Sequence, residues 1–480
     1  MMHPRMVVQD VCAGTLHLRS KGATYLPKEP AEKDEHYAYR LARAILFNAV
    51  ERTLHGLVGM VFRNDPKLGE DVPVAIRGTE ATDGQAAVEG HWENIDLAGT
   101  HGSVFCKEVF TNAMRDGHAA ILVDMPPALQ EGATLDDEIR AQRRPYWVSY
   151  TADQIINWRT KVVNGKTVLD LVIFKECSQE ADGAYGEKMV TRYRVLRPGM
   201  WEIYRDSDDG KEIVFESGGP ISLPEIPVAV VYSRKCGTLT SMPPLRDLAT
   251  TNVSHYQKYS DFSIYMHLAS RPLLWFRGRD TSQAVKVSGP YMYFDVTGDN
   301  GLVAFAETSG AALGAASQDI KDLEERMAIL GLSLLVRRTG AQITATEERN
   351  DQIEESSDLA TAARSLQDAM ELALKFHAQY LNPTAETGGS VELGAALDEM
   401  QLTPEEMAVW SNAVAVDQYS RETMWDVFEQ GGKNPPNFDP KRETERLKKQ
   451  KKEKMELSEA MMRDFDRGGA PEDEDDDATD

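Results

Sequence analysis

From residue 34 to about 62, apolar side chains return every three or four positions: Ala44, Phe47, Val50, Leu54, Leu57, Val58 and Val61. That spacing lays one apolar stripe along a helix, and Asp34 stands where an N-cap belongs. Residues 1–33 carry Pro4, Pro27 and Pro30 with little periodicity and read as an extended arm; 63–92 hold Gly, Pro and Asp and read as loop. A second helix is predicted over 101–117, closed by Gly117. The apolar run at 119–124 then reads as a buried strand, stopped by Pro126 and Pro127, and the charged stretch 128–144 as a helix or a loose segment. From Pro145 to Tyr232 the period shifts towards two, in short segments near 146–150, 168–176, 188–196, 201–205, 212–216 and 228–232. Asn164-Gly165 and Asp209-Gly210 are the dipeptides of tight hairpins, so this region is predicted to be a mostly antiparallel β unit.

The second half turns helical. Leu245, Leu248, Tyr256, Tyr259, Phe262 and Met266 form a stripe over 245–269, opened by Pro243-Pro244 and ended at Arg271-Pro272. Short strands follow between 272 and 306, at 273–276, 285–287, 291–294 and 302–305, broken at Gly289-Pro290 and between Gly298 and Gly301. The next helix, 311–335, has Ile320, Leu323, Met327, Leu330 and Leu334 at alternating spacings of three and four, a narrow seam of the kind that joins helices. A basic loop with Arg337, Arg338, Thr339, Gly340 and Gln342 separates it from a long helix over 346–380. Leu359, Ala363, Leu366, Met370, Ala373 and His377 share one face of that helix, and Pro383 stops it. Helices are predicted again over 403–465. Thr403-Pro404-Glu405-Glu406 is a helix start, and the last helix has eight basic and three acidic residues within 441–455. The tail from Pro471 is acidic and predicted to be disordered.

A chain of 480 residues exceeds one ordinary core, so two to four packed units are expected. No apolar run reaches the roughly 18–20 residues of a membrane span, and the N-terminus has no signal-peptide pattern. Cys12, Cys106, Cys177 and Cys236 are scattered and expected to be buried thiols of a reducing compartment. The formal charge of -24 argues against a dedicated DNA binder, which is usually basic where it grips phosphate. It leaves room for a protein past which DNA slides.

Catalytic chemistry is not found in the sequence. Asn164-Gly165-Lys166-Thr167 resembles the end of a phosphate-binding loop, but the glycine such a loop needs five residues earlier is Thr160. The pattern lacks H-E-x-x-H, G-x-S-x-G and C-x-x-C. His101-Gly102-Ser103 reads as a serine N-cap or a loop, and among 77 acids no catalytic pair stands out. No catalytic residue, metal ligand or cofactor is expected.

Several strings, in this order, resemble the tailed-phage portal protein family, the head-to-tail connectors. They are Tyr37-Ala38-Tyr39-Arg40-Leu41-Ala42-Arg43-Ala44 with Gly59-Met60-Val61-Phe62-Arg63, then Ala120-Ile121-Leu122-Val123-Asp124-Met125-Pro126, then Gln154-Ile155-Ile156-Asn157-Trp158-Arg159. Pro243-Pro244-Leu245 to Leu248-Ala249 follows, with Asn252, His255, Tyr256 and Gln257, and last Leu323-Glu324-Glu325-Arg326-Met327-Ala328-Ile329-Leu330-Gly331. The likeness runs over about 34–382.

The resemblance implies an α+β fold: an α/β wing (34–244), a two-helix stem (245–269 and 311–335), a β-rich clip insertion (270–310) and a helical crown (403–465). The arm (1–33) precedes these parts and the acidic tail (466–480) follows them. The basic loop at 336–345 would be a tunnel loop, with Arg337, Arg338, Thr339, Gly340 and Gln342 facing DNA. The segment 346–402 would be a long wing helix and return segment. Arg277, Arg279 and Lys286 would face partners at the clip, and Ile320, Leu323, Met327, Leu330 and Leu334 would be the stem seam. The implied assembly is a ring, usually of twelve subunits, at one capsid vertex of the virion, built in the host cytoplasm. Double-stranded DNA would pass through it without sequence readout. Its partners would be terminase, major capsid or scaffold proteins and tail adaptors, with no membrane. Two rivals are an enzyme with a cleft between the β unit and the helices, which no motif supports, and a non-enzymatic acidic scaffold or assembly factor of a phage particle.

Overall fold

The chain opens with helices where an extended arm was expected. α1 (Pro4–Cys12) and α2 (Gly14–Lys21) bury Val8, Val11 and Leu18, spaced as one helical face. Pro4 occupies the first helical turn, where a missing N–H costs nothing. Polar contacts hold the segment in place. Arg5 Nε donates to the Asp116 carbonyl (2.9 Å) and Gln9 Nε2 to Asp116 Oδ1 (3.0 Å), while the Tyr25 hydroxyl donates to Asp10 (2.6 Å). The computed structural model describes residues 4–79, 87–126, 143–183, 185–207, 212–270, 273–277, 286–288, 291–293, 302–306, 310–332, 358–393, 409, 411–414, 420–430 and 438–467. They fall into two units, 1–394 and 395–480.

The single helix expected over 34–62 is two helices, α3 (Asp34–Arg43) and α4 (Ala49–Val61). The expected stripe does not pass through the break intact: Ala44 and Val50 are buried, but Phe47 is exposed and Leu46 is buried in its place. The helix stops because its backbone finds other partners. Arg19 Nε donates to the Ala44 carbonyl (2.9 Å), and the Asn48 side chain accepts from Glu51 N (3.1 Å) as the cap of α4. After β1 (Lys67–Leu68) and the short α5 (Val74–Arg77) comes α6 (Gly102–Asp116), which ends at Gly117 with φ +99°. Its cap is the ring of His101, accepting from Ser103 N (3.2 Å), and not the serine itself.

The β region expected as one unit is two sheets. β2 (His118–Asp124) lies centrally between β3 (Tyr146–Thr151) and β9 (Val228–Tyr232), antiparallel to both. β4 (Ile155–Val163), β5 (Lys166–Asp182), β6 (Gly186–Arg197), β7 (Met200–Asp206) and β8 (Ile213–Pro220) form a separate five-stranded meander. Asn164 and Gly165 both have positive φ (50° and 77°), as a two-residue hairpin requires. Thus the phosphate-loop resemblance there is a β-turn. The Asp209-Gly210 turn lies outside the described residues.

A shared core joins the two sheets. Tyr150 stacks on Phe174 with ring centroids 3.9 Å apart, among buried Leu122, Ile155, Val172 and Val228. A polar clasp closes the rim: Arg194 on β6 bonds Asp124 on β2 and Glu176 on β5, both at 2.7 Å. Tyr146 and Tyr150 of β3 donate to those same carboxylates. A buried ion pair gains little by itself, but these carboxylates are also hydrogen-bonded, and losing Arg194 would leave them half-buried and unneutralised.

Next come β10 (Lys235–Gly237), β11 (Thr240–Ser241), α7 (Arg246–Ala269), β12 (Leu273–Arg277), β13 (Lys286–Ser288), β14 (Tyr291–Tyr293), β15 (Leu302–Ala306) and α8 (Gly310–Leu332). α9 (Asp358–Leu381) packs on β9, and all six face residues expected of it, Leu359 to His377, are buried. β16 (Val391–Glu392) returns to pair with β1. The second unit has α10 (Arg421–Gln430) and α11 (Pro440–Arg467), with Trp425 set edge-on to Phe438 at 5.5 Å. The helix start at Thr403 and the tail from 468 lie outside the described residues. All four cysteines are free; Cys106 is buried as expected, but Cys177 and Cys236 are exposed.

Histidines dispersed in the sequence meet in the fold. His91 Nδ1 and His377 Nε2 are 2.9 Å apart, linking the turn at 91–94 to α9, and His118 contacts Ser241 Oγ at 2.8 Å. Burial, helped by Arg144 for His91 and by Arg5 for His118, pushes both down to about 4 from about 6.5; burial holds His377 well below its ordinary value too. The unfolded chain therefore takes up these protons first. The stability they contribute is whole above about pH 6.5 and drains as pH falls towards 4. The melting temperature is expected to fall between pH 7 and 5, and to fall less in His118→Gln. Parallel pH profiles for the two proteins would contradict this assignment.

Candidate functional site

The described residues between 246 and 332 pair as one nested hairpin. His255 Nε2 meets Glu324 at 3.2 Å and Lys258 Nζ meets Asp319 at 2.6 Å, so α7 and α8 run antiparallel. Beyond them β12 pairs with β15, from Leu273 opposite Ala306 to Arg277 opposite Leu302. Inside that pair, β13 pairs with β14, from Lys286 opposite Tyr293 to Ser288 opposite Tyr291. Each helix is about 35 Å long.

The seam expected on the second helix is partly in place. Ile320, Leu323 and Met327 are buried on α8, which packs on α7, and Leu330 is half-buried; Leu334 lies outside the described residues. The stripe expected on the first helix divides. Leu248 and Tyr256 are buried, as is Leu245 just before the helix, but Tyr259 and Met266 are exposed. On α7 polar residues complete the buried face: Asn252, His255 and Ser260. The aromatic stripe predicts helix but misses these; Asn252 and His255 are buried for hydrogen bonds that periodicity does not register, whereas the Ser260 hydroxyl is buried without a partner among the described residues.

Asn252 shows why. Its Oδ1 accepts from Ala49 N (3.1 Å) and Val50 N (3.4 Å), and its Nδ2 donates to the Phe47 carbonyl (2.7 Å). One side chain of α7 thus satisfies the backbone at the 44–48 break and the start of α4. Gln257 Nε2 donates to the Tyr25 carbonyl (2.8 Å). Arg40, buried on α3, donates to the Pro27 carbonyl (2.7 Å), to both Glu32 oxygens (2.9 and 2.8 Å) and to Asp261 of α7 (3.2 Å). Its hydrogen bonds hold the Glu32 carboxyl below the usual carboxylate range. The strings around residues 37–44, 245–257 and 323–331, far apart in sequence, therefore meet at one junction.

The DNA-facing residues expected at Arg337, Arg338, Thr339, Gly340 and Gln342 lie outside the described residues, as does Arg279. Arg277 and Lys286 stand at the register positions given above. A cavity of about 450 Å³ lies beside β9 and α9, bordered by Tyr232, Lys235, Arg364 and Asp368. The Ser241–His118 contact resembles a nucleophile and its base, but both residues are buried. Among the described residues no cluster of three or more His, Cys, Asp or Glu is placed to hold a metal ion, and no helix is long and apolar enough to cross a membrane.

Residues 244–381 match the model of a family described as a domain of unknown function, DUF4055. That segment contains the nested hairpin and α9; the strings before residue 244 lie outside it. No curated protein matches the chain.

Asn252→Ala removes a buried amide and strands the backbone groups it serves. A loss of about 2–3 kcal/mol is expected, read by chemical denaturation, with faster proteolysis at 44–48. A loss under about 0.5 kcal/mol, within the range of ordinary surface changes, would deny Asn252 its role at the junction.

Proposed function

We propose that this protein is a phage portal subunit: one member of a ring at a capsid vertex, the channel through which double-stranded DNA is packaged and ejected. The observation that carries the reading is the nested hairpin, two antiparallel helices about 35 Å long joined through paired strands and anchored at one end to a sheet-bearing body. In this reading α7 and α8 are the stem, β12 to β15 the clip, and the body with α9 the wing. The DUF4055 match over 244–381 supports it, since that family includes phage portal proteins.

Two physical features favour a ring. The seam residues Ile320, Leu323 and Met327 serve packing within one chain, yet the helix pair still exposes Tyr259, Met266 and Ile329, apolar surface for a neighbouring subunit to cover. The charge of -24 suits a conduit: a wall that repels phosphate overall lets DNA move, and a ring turns one cation per subunit into a belt. Arg337 and Arg338, with Thr339, Gly340 and Gln342 around them, are the proposed DNA-facing belt, touching phosphate and therefore blind to sequence. Arg277, Arg279 and Lys286 at the clip are proposed to face terminase during packaging and tail adaptors afterwards. Capsid or scaffold proteins would surround the wing.

Electron microscopy of the purified protein is expected to show rings with an axial hole. Monomers alone, at every salt and protein concentration tried, would overturn the reading. Replacing both Arg337 and Arg338 with alanine is expected to leave rings intact while lowering the amount of DNA packaged or retained; undiminished packaging would remove these two arginines from the channel's contacts.

A further inference from the structure

In a chain of charge -24, residues 441–455 hold eight cations against three acids, and α11 presents them to solvent. Lys441, Lys448, Lys449, Lys451 and Lys454 are exposed and enter no ion pair among the described residues. Arg442 and Arg446 are held by Asp439 (3.8 Å) and Glu443 (3.3 Å). Successive residues turn by about 100°, so the free lysines are distributed around the helix and not along one stripe. Such a helix pays self-repulsion along its whole length, and a polyanion laid beside it relieves that repulsion.

The composition of the run narrows the partner. Leu447 and Met455 are its only large apolar residues, so it lacks the stripe that a protein groove or a membrane surface would need. It has no aromatic residue, which single-stranded nucleic acid would stack upon. Six of the eight cations are lysine, a mobile point charge suited to phosphate at variable positions, where arginine's fixed fork suits paired recognition of carboxylates. Between Lys441 and Lys454 the helix climbs about 20 Å, a length over which duplex DNA presents roughly a dozen phosphates.

We propose that the lysine run of α11 is a docking site for double-stranded DNA, held by phosphate contact without sequence preference. This deepens the conduit reading, because duplex DNA is its cargo, and adds a contact outside the 336–345 loop. The site itself rests on the helix alone and needs no ring.

The test uses the full chain and a 30-base-pair duplex, with binding followed by fluorescence anisotropy across a salt series. Changing Lys448, Lys449, Lys451 and Lys454 together to glutamine is expected to weaken binding at least tenfold at low salt. The slope of log affinity against log salt should fall by about 3.5. The same four positions changed to arginine should keep both values, and circular dichroism should show unchanged helix in each variant. Unaltered affinity in the glutamine variant overturns the site, as does failure of the parent to bind duplex at low salt. Tighter binding of single strands, or equal binding of polyglutamate with the same loss in the variant, overturns duplex DNA as the partner. Electron microscopy of the same variant separates the two readings. Rings with undiminished DNA binding sink this site alone, and lost binding in a protein that never forms rings sinks the ring alone.

Discussion

The architecture depends on how the α7 helix repairs breaks in the chain that precedes it. Helices that stop leave N–H and C=O groups without partners, and burying them unpaired costs more than most single contacts return. Besides the short break at Ala13, the N-terminal helices stop at two places, around residues 22–33 and 44–48. At both places α7 supplies the partners: Gln257 reaches the Tyr25 carbonyl, and Asn252 bonds the backbone at 47, 49 and 50. Arg40 adds a charged tie from the Pro27 carbonyl across to Asp261. The helix pair cannot shift along the body without orphaning these groups together, so its register and direction are set by polar contacts while apolar burial supplies the bulk of the energy.

The two sides of that pair consequently face different demands. Near the body, α7 buries a polar and aromatic face against α1, α3 and α4, and α8 closes it with Ile320, Leu323 and Met327. On the side turned away from those contacts Tyr259, Met266 and Ile329 stay exposed, and pairs such as Lys258 with Asp319 are at the surface. Surface pairs contribute little to stability. The exposed side of the hairpin is therefore the part a neighbour could reorganise at low cost, whereas movement at the junction would cost several buried hydrogen bonds at once.

Much of this was readable from the sequence. The helices described at 246–269 and 310–332, the strands described between them, the helix over 358–381 that stops before Pro383 and the Asn164-Gly165 hairpin all follow from period, proline and turn chemistry. The failures share a cause: each depended on a partner far away in sequence. Val8, Val11 and Leu18 had helical spacing, but prolines at 27 and 30 masked it, and the contacts that hold α1 come from Asp116 and Asp153. The break at 44–48 was invisible because the apolar period runs through it, and its causes, Arg19 and Asn252, lie 25 and more than 200 residues away. One β unit became two sheets because alternation gives strands but not their pairing. Of the candidate site, the seam was visible, but the polar junction was not: Asn252, His255 and Gln257 stood out as a string, and only the fold gives them partners.

Charge is distributed by the same economy of local purpose. The body spends its cations internally: Arg194 binds Asp124 and Glu176, Arg192 binds Glu216, and Arg40 binds Glu32. Cations used in this way create no field at a distance, because each is neutralised within about 3 Å. The surplus acid of the chain therefore dominates what an approaching polyanion meets over most of the surface. Cations that are not neutralised can attract phosphate only where several lie close together, since beyond about 10 Å at ordinary salt their field is screened. Such clustering marks the lysines of α11, and it separates them from the more numerous arginines whose work is to hold the fold.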